Sequence, residues 1–176
     1  MNTFSAKKLT LTALAIALVC VTTAYTHIPI PLGYMHLGNV CILLCSFLFP
    51  AEIGLLAGGV GSALSDLLTG FPQWIIPTLI IKSLMGYAVS KIAHNKTGSA
   101  RMLTVRTAVA AVTGILIMIA GYFIAGILLY DGVAASLPQI PGLSLEGILG
   151  IAGFYLIGIA LEKAKIQRYL SLETPK

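Results

Sequence analysis

Asp66 and Lys82 lie inside apolar runs, on the two arms of a stretch (residues 54–82) that turns around Thr69-Gly70-Phe71-Pro72. At the middle of a bilayer each charge costs roughly 2.5–3.5 kcal/mol on insertion scales, so such residues ordinarily neutralise each other or serve a ligand. His36, Asn39 and Glu146 are further polar residues set in or beside apolar segments, and Trp74 is the sole tryptophan. An acid, a base, an imidazole and a carboxamide suit the hydrogen-bonded capture of a small polar molecule. A pairing of His36 with Ser62 or Ser65 could be imagined as a nucleophile and its base. However, neither GxSxG nor HExxH occurs, and a serine among packed glycines is usually a helix contact. The chain carries no Walker lysine loop, so it holds no nucleotide machinery of its own. Cys20, Cys41 and Cys45 fall inside apolar runs without CxxC or Cys/His spacing and read as small buried hydrophobes. No metal or cofactor is expected, and binding is favoured over catalysis.

The elements that must position these groups are membrane helices. Of the 176 residues, 57% are hydrophobic and 10% charged, too little charge for a soluble surface. That length accommodates about six spans of roughly 20 residues. The fold expected is an all-α membrane protein, a single transmembrane domain over residues 1–176 with spans at 9–26, 37–49, 53–68, 74–92, 107–130 and 145–161. The first run, after Lys7-Lys8, reads as a retained helix and not a cleaved signal. Pro29 and Pro31 forbid a regular helix between spans 1 and 2 and favour an extended path. Span 2 rises only about 20 Å against a ~30 Å hydrocarbon core, so either the bilayer thins or the preceding loop descends into the protein. Span 3 carries a Gly54/Gly58 pair among many small residues and should be central and closely packed.

The net charge of +5 is not a nucleic-acid footprint. Apart from Lys82, the basic residues cluster at the ends of hydrophobic runs, and the loops after spans 1, 3 and 5 carry none. The excess of positive charge on one side predicts cytoplasmic termini, with Tyr25, Trp74 and Tyr130 at the outer boundary. Counting ~1.5 Å per residue from the inner boundary puts Asn39 at about 15 Å, Lys82 at about 18 Å, His36 at about 20 Å, Asp66 at about 21 Å and Glu146 at about 24 Å. The polar residues of four spans thus share one layer in the outer half, as a ligand cavity requires. Read individually, Asp66 and Lys82 are also explained as a structural ion pair, and Glu146 as a first-turn acid favoured by the helix dipole.

The runs Gly33-Tyr-Met-His-Leu-Gly-Asn39, Gly58-Gly-Val-Gly-Ser-Ala-Leu-Ser-Asp66, Gly70-Phe-Pro72 and Pro77-Thr-Leu-Ile-Ile-Lys82-Ser-Leu-Met-Gly86 resemble substrate-binding S components of energy-coupling factor (ECF) vitamin transporters. Within that group the chain looks most like the branch for hydroxymethylpyrimidine or pyridoxine-type substrates. The resemblance implies a six-helix S-component bundle in a prokaryotic plasma membrane. A vitamin would be held under the loop between spans 1 and 2, with Tyr34, His36, Asn39, Asp66, Trp74, Lys82 and Glu146 as contacts. It also implies a membrane coupling subunit, docked through Ala13 and Ala17 of span 1, and two cytoplasmic ATPases. Where the family pattern Pro-Gly-Asn-x-x-Gln is expected before span 6, this chain has Pro141-Gly-Leu-Ser-Leu-Glu146. An acid there favours a ligand offering amine or ring N–H donors. Another vitamin, such as riboflavin or thiamine, and a purely structural membrane subunit remain the alternatives.

Overall fold

The computed structural model describes residues 6–26, 28–30, 33–94 and 100–170, with backbone alone at 28–30, 33–35 and 168. Helix α1 (Ala6–Tyr25) leads into an antiparallel pair, β1 (Ile28–Ile30) and β2 (Gly33–Met35), in which Ile28 faces Met35 and Ile30 faces Gly33. The proline-rich link is therefore extended, as its sequence requires; His27, Pro31 and Leu32 lie outside the described residues. Then follow α2 (Gly38–Leu48), α3 (Ala51–Thr69), a single 3-10 turn (Pro72–Trp74), α4 (Ile75–Ala93), α5 (Val105–Leu129), the one-turn α6 (Val133–Ser136), α7 (Gln139–Lys163) and α8 (Ile166–Leu170).

Five of these elements are long and apolar enough to cross a membrane; α2 is the shorter sixth. Its 11 residues are buried almost throughout, from Gly38 to Phe47. A helix enclosed by α1, α3, α4 and α7 need not match the hydrocarbon thickness, because protein and not lipid surrounds it. The short span is thus an inner helix with a hairpin at its end, and β2 packs against α7.

Around α2 the longer helices are laid side by side, α3 between α1 and α4, and α4 between α3 and α5. Glycines set the spacing. A Cβ on Gly58 would lie 2.6 Å from the Lys82 carbonyl oxygen, and one on Gly54 would lie 2.9 Å from that of Gly86. The backbones of α3 and α4 therefore touch directly, the packing that small-residue pairs permit in membranes. Gly86→Ala should drive its methyl into the Gly54 carbonyl and destabilise the bundle by about 1–3 kcal/mol, read as a lowered unfolding midpoint in detergent. Helix α3 ends where Gly70 takes φ +85°, with the Phe71 N–H returning to the Asp66 carbonyl at 2.9 Å. That reversal sends the chain through the 3-10 turn, which ends at Trp74, into α4.

The last long helix begins at Gln139, six residues ahead of the Leu145 start expected from sequence. Pro138 is its N-cap and Pro141 lies in its first turn, where no N–H is needed for intrahelical bonding, so neither proline interrupts it. Glu146 consequently sits two turns inside α7. The first-turn explanation of this acid does not apply.

Candidate functional site

Lys82, on the α4 face pressed against α3, is fully buried. Its ammonium donates to Asn39 Oδ1 at 2.6 Å and lies 3.2 Å from Met118 Sδ. An ammonium can only donate, so it fixes the Asn39 amide with its oxygen toward α4. Asn39 Nδ2 is then turned to α7, where it donates to Glu146 Oε1 at 2.7 Å. Gly150 admits this approach, since a Cβ there would sit 3.0 Å from Asn39 Cβ. The result is a directed relay, cation to carboxamide to carboxylate, running across α4, α2 and α7. Glu146 comes first and Asp66 second among the carboxylates that attract the Lys82 charge.

His36 closes on the same carboxylate from the hairpin side. Its Nδ1 accepts the Gly38 N–H at 3.2 Å, which places the ring proton on Nε2, 3.4 Å from Glu146 Oε1. Both neighbours thus fall on Oε1 and, among the described residues, no bond falls on Oε2; Glu146 lines the space beside it.

That space is a cavity of about 230 Å³ walled by His36, Asp66, Trp74, Tyr122, Gln139 and Glu146 together with neighbouring residues of α1, α3 and α4. One side is aromatic. Trp74 meets Tyr122 at 5.5 Å and Tyr130 at 5.9 Å between ring centroids, tilted by about 60° in both pairs. Tyr122 is held by a 3.0 Å bond between its hydroxyl and Thr78 Oγ1, and the Lys82 ammonium stands 5.3 Å from its ring centroid. Thr23 and Ser62 complete the polar side; their buried hydroxyls have no protein hydrogen-bond partner among the described residues. Buried hydroxyls ordinarily find a water or ligand.

Of the residues expected from sequence, His36, Asp66, Trp74 and Glu146 meet on this wall. Asn39 and Lys82 stand one layer behind, connected to the cavity through Glu146. The backbone of Tyr34 belongs to β2, while its side chain lies outside the described residues. Ala13 and Ala17 are exposed on the outside of α1, away from this cavity. Sequence reasoning missed Thr23, Ser62, Thr78, Tyr122 and Gln139 as wall residues. No cluster of three or more His, Cys, Asp or Glu suited to a metal ion occurs among the described residues.

A membrane bundle carrying a polar-and-aromatic cavity suits the capture of a small molecule. The profile of the family described as "ECF-type riboflavin transporter, S component" matches residues 3–163. The chain is 32% identical over 162 residues to the thiamine precursor transporter HmpT of Lactococcus lactis subsp. cremoris, covering 89% of this chain and 86% of that protein. It is also 39% identical over 114 residues to an uncharacterized protein of Pyrococcus woesei, covering 64% of this chain and 73% of the relative. The chain belongs to the ECF-type riboflavin transporter S component family. It is a substrate-specific transport component of the vitamin class, multi-pass in a prokaryotic plasma membrane, and not an enzyme.

Proposed function

We propose that this S component captures a single-ring nitrogen heterocycle, with hydroxymethylpyrimidine as the substrate that fits best. The observation that carries the reading is Glu146: Asn39 and His36 occupy Oε1 and leave Oε2 for a donor on the ligand. An aminopyrimidine edge supplies such donors, and a charge-assisted bond to a carboxylate is the stronger kind. Its ring would lie against Trp74 and Tyr122. Two further features support a small ligand over riboflavin. The cavity of about 230 Å³ falls below the ~300–1,000 Å³ usual for drug-sized molecules, tight for a three-ring flavin with a ribityl chain. A relative covering most of the chain is named for a thiamine precursor.

In this reading the cavity opens to the outside, because the basic residues gather at the opposite ends of the spans. Energy comes from a membrane coupling subunit and two cytoplasmic ATPases, the coupling subunit docking on the exposed Ala13 and Ala17 of α1. Trp74 is a built-in reporter, being the only tryptophan and part of the wall. Titrating purified protein with hydroxymethylpyrimidine should change its fluorescence saturably, with riboflavin binding more weakly in competition. Tighter binding of riboflavin would refute the ligand class.

A further inference from the structure

Where α5 begins and α7 finishes, the bundle carries a cationic corner that plays no part in the cavity. Two contacts fold it together. The Met102 N–H reaches both Glu162 carboxylate oxygens, at 3.2 and 3.4 Å, and Gln167 Nε2 of α8 donates to the Ala100 carbonyl at 3.3 Å. Met102 is fully buried against α7, where a Cβ on Gly158 would collide with its Cε. Arg101, Lys163 and Lys165 flank these bonded residues in sequence and so gather at one corner, all three exposed. Glu162 is the sole acid of residues 100–107 and 160–170, and it is half-buried and turned to Met102. Among the described residues none of the three cations is paired with an acid. Arg106, by contrast, is engaged at the end of α4 through the His94 carbonyl at 2.8 Å.

Two further observations say what such a corner fits. Lys165 takes φ +55° and closes α7 with its N–H on the Glu162 carbonyl at 2.9 Å. Glycine makes this left-handed turn without steric cost, so the turn alone does not account for a lysine. Beside the corner, Val105, Val109, Val112 and Leu116 follow one another at helical spacing along a single exposed face of α5. This apolar strip rises about 16 Å from the first residue of the helix. Helix α5 has 25 residues, a rise of about 37 Å, and so outreaches a ~30 Å hydrocarbon core to headgroup level.

We propose that the corner formed by Arg101, Lys163 and Lys165 binds the headgroup phosphate of an anionic phospholipid, with an acyl chain lying along the strip from Val105 to Leu116. Charge complementarity and the strip together name the occupant. A phosphate joined to hydrocarbon satisfies both parts, whereas a free phosphate satisfies only the first. Basic residues at headgroup level attract anionic lipid in this way. The inference is independent of the vitamin reading, since no residue of the cavity takes part.

The test is native mass spectrometry of the purified full chain in detergent, with dioleoyl phosphatidylglycerol or dioleoyl phosphatidylcholine added at equal concentration. The wild type should hold phosphatidylglycerol about tenfold more tightly, although the chains of the two lipids are the same. Lys165→Gly should weaken phosphatidylglycerol by about fivefold, the worth of one basic residue near anionic lipid. It should not lower the unfolding midpoint in detergent alone, because it relieves the left-handed residue. The combined variant Arg101→Gln/Lys163→Gln/Lys165→Gly should bind the two lipids alike. Equal retention of both lipids by the wild type overturns the inference and leaves the corner to a protein partner. A preference unchanged in the combined variant overturns it as well, and displacement of the lipid by glycerol phosphate at the same concentration would show a site for free phosphate instead.

Discussion

Replacing Lys82 by methionine is expected to cost about 3–5 kcal/mol of stability. Methionine keeps most of the apolar stem but removes the ammonium that Asn39 Oδ1 accepts at 2.6 Å, and with it the charge that offsets Glu146. With Lys82 gone, the buried carboxylate is left with neutral neighbours, and the Asn39 amide loses the contact that fixes its direction. The double variant Lys82→Met/Glu146→Gln removes both charges and should recover most of the loss, because a pair absent on both sides is far less costly than one left half-made. Unfolding of the purified proteins in detergent measures both. A double variant no more stable than Lys82→Met would show that the two residues are not energetically coupled.

Glu146→Gln alone should weaken the ligand by about 1.5–3 kcal/mol, on the order of 10- to 150-fold, and should also lower stability, because the buried Lys82 ammonium keeps only Asp66 of the two carboxylates that attract it. The glutamine can still accept from Asn39 Nδ2. What it loses is the anionic Oε2, the acceptor available to the ligand's amine edge. Asn39→Asp should be more harmful to stability than Glu146→Gln, since it sets a second carboxylate against Glu146 at hydrogen-bond distance.

These expectations rest on geometry that the sequence disclosed only in part. In spans this apolar, any charged residue is informative, so Asp66, Lys82 and Glu146 were legible from their types alone. Counting residues along a helix gives height in the membrane but not azimuth. Lys82 and Asn39 were therefore assigned a height without any sign that they stand behind Glu146 and not on the cavity wall. Hydroxyl residues were harder to read. A threonine in a membrane helix bonds its own backbone one turn back, as Thr12, Thr22 and Thr69 do here, so its polarity gives no indication of a site. Thr23 and Ser62, which have no such partner among the described residues, look the same in sequence. Gln139 was missed because Pro138 and Pro141 read as loop, although the first turn of a helix tolerates both. The hairpin before α2 shows the opposite case, since proline spacing alone required an extended path there.

The central claim, that the carboxylate of Glu146 receives the donor edge of a single-ring heterocycle, is tested most directly by calorimetric titration. Hydroxymethylpyrimidine and riboflavin are each titrated into the wild-type chain and into Glu146→Gln. The account predicts tighter binding of hydroxymethylpyrimidine than of riboflavin by the wild type, and a loss of roughly 10- to 150-fold in the variant. Tighter binding of riboflavin, or an affinity for hydroxymethylpyrimidine unchanged by Glu146→Gln, would contradict it.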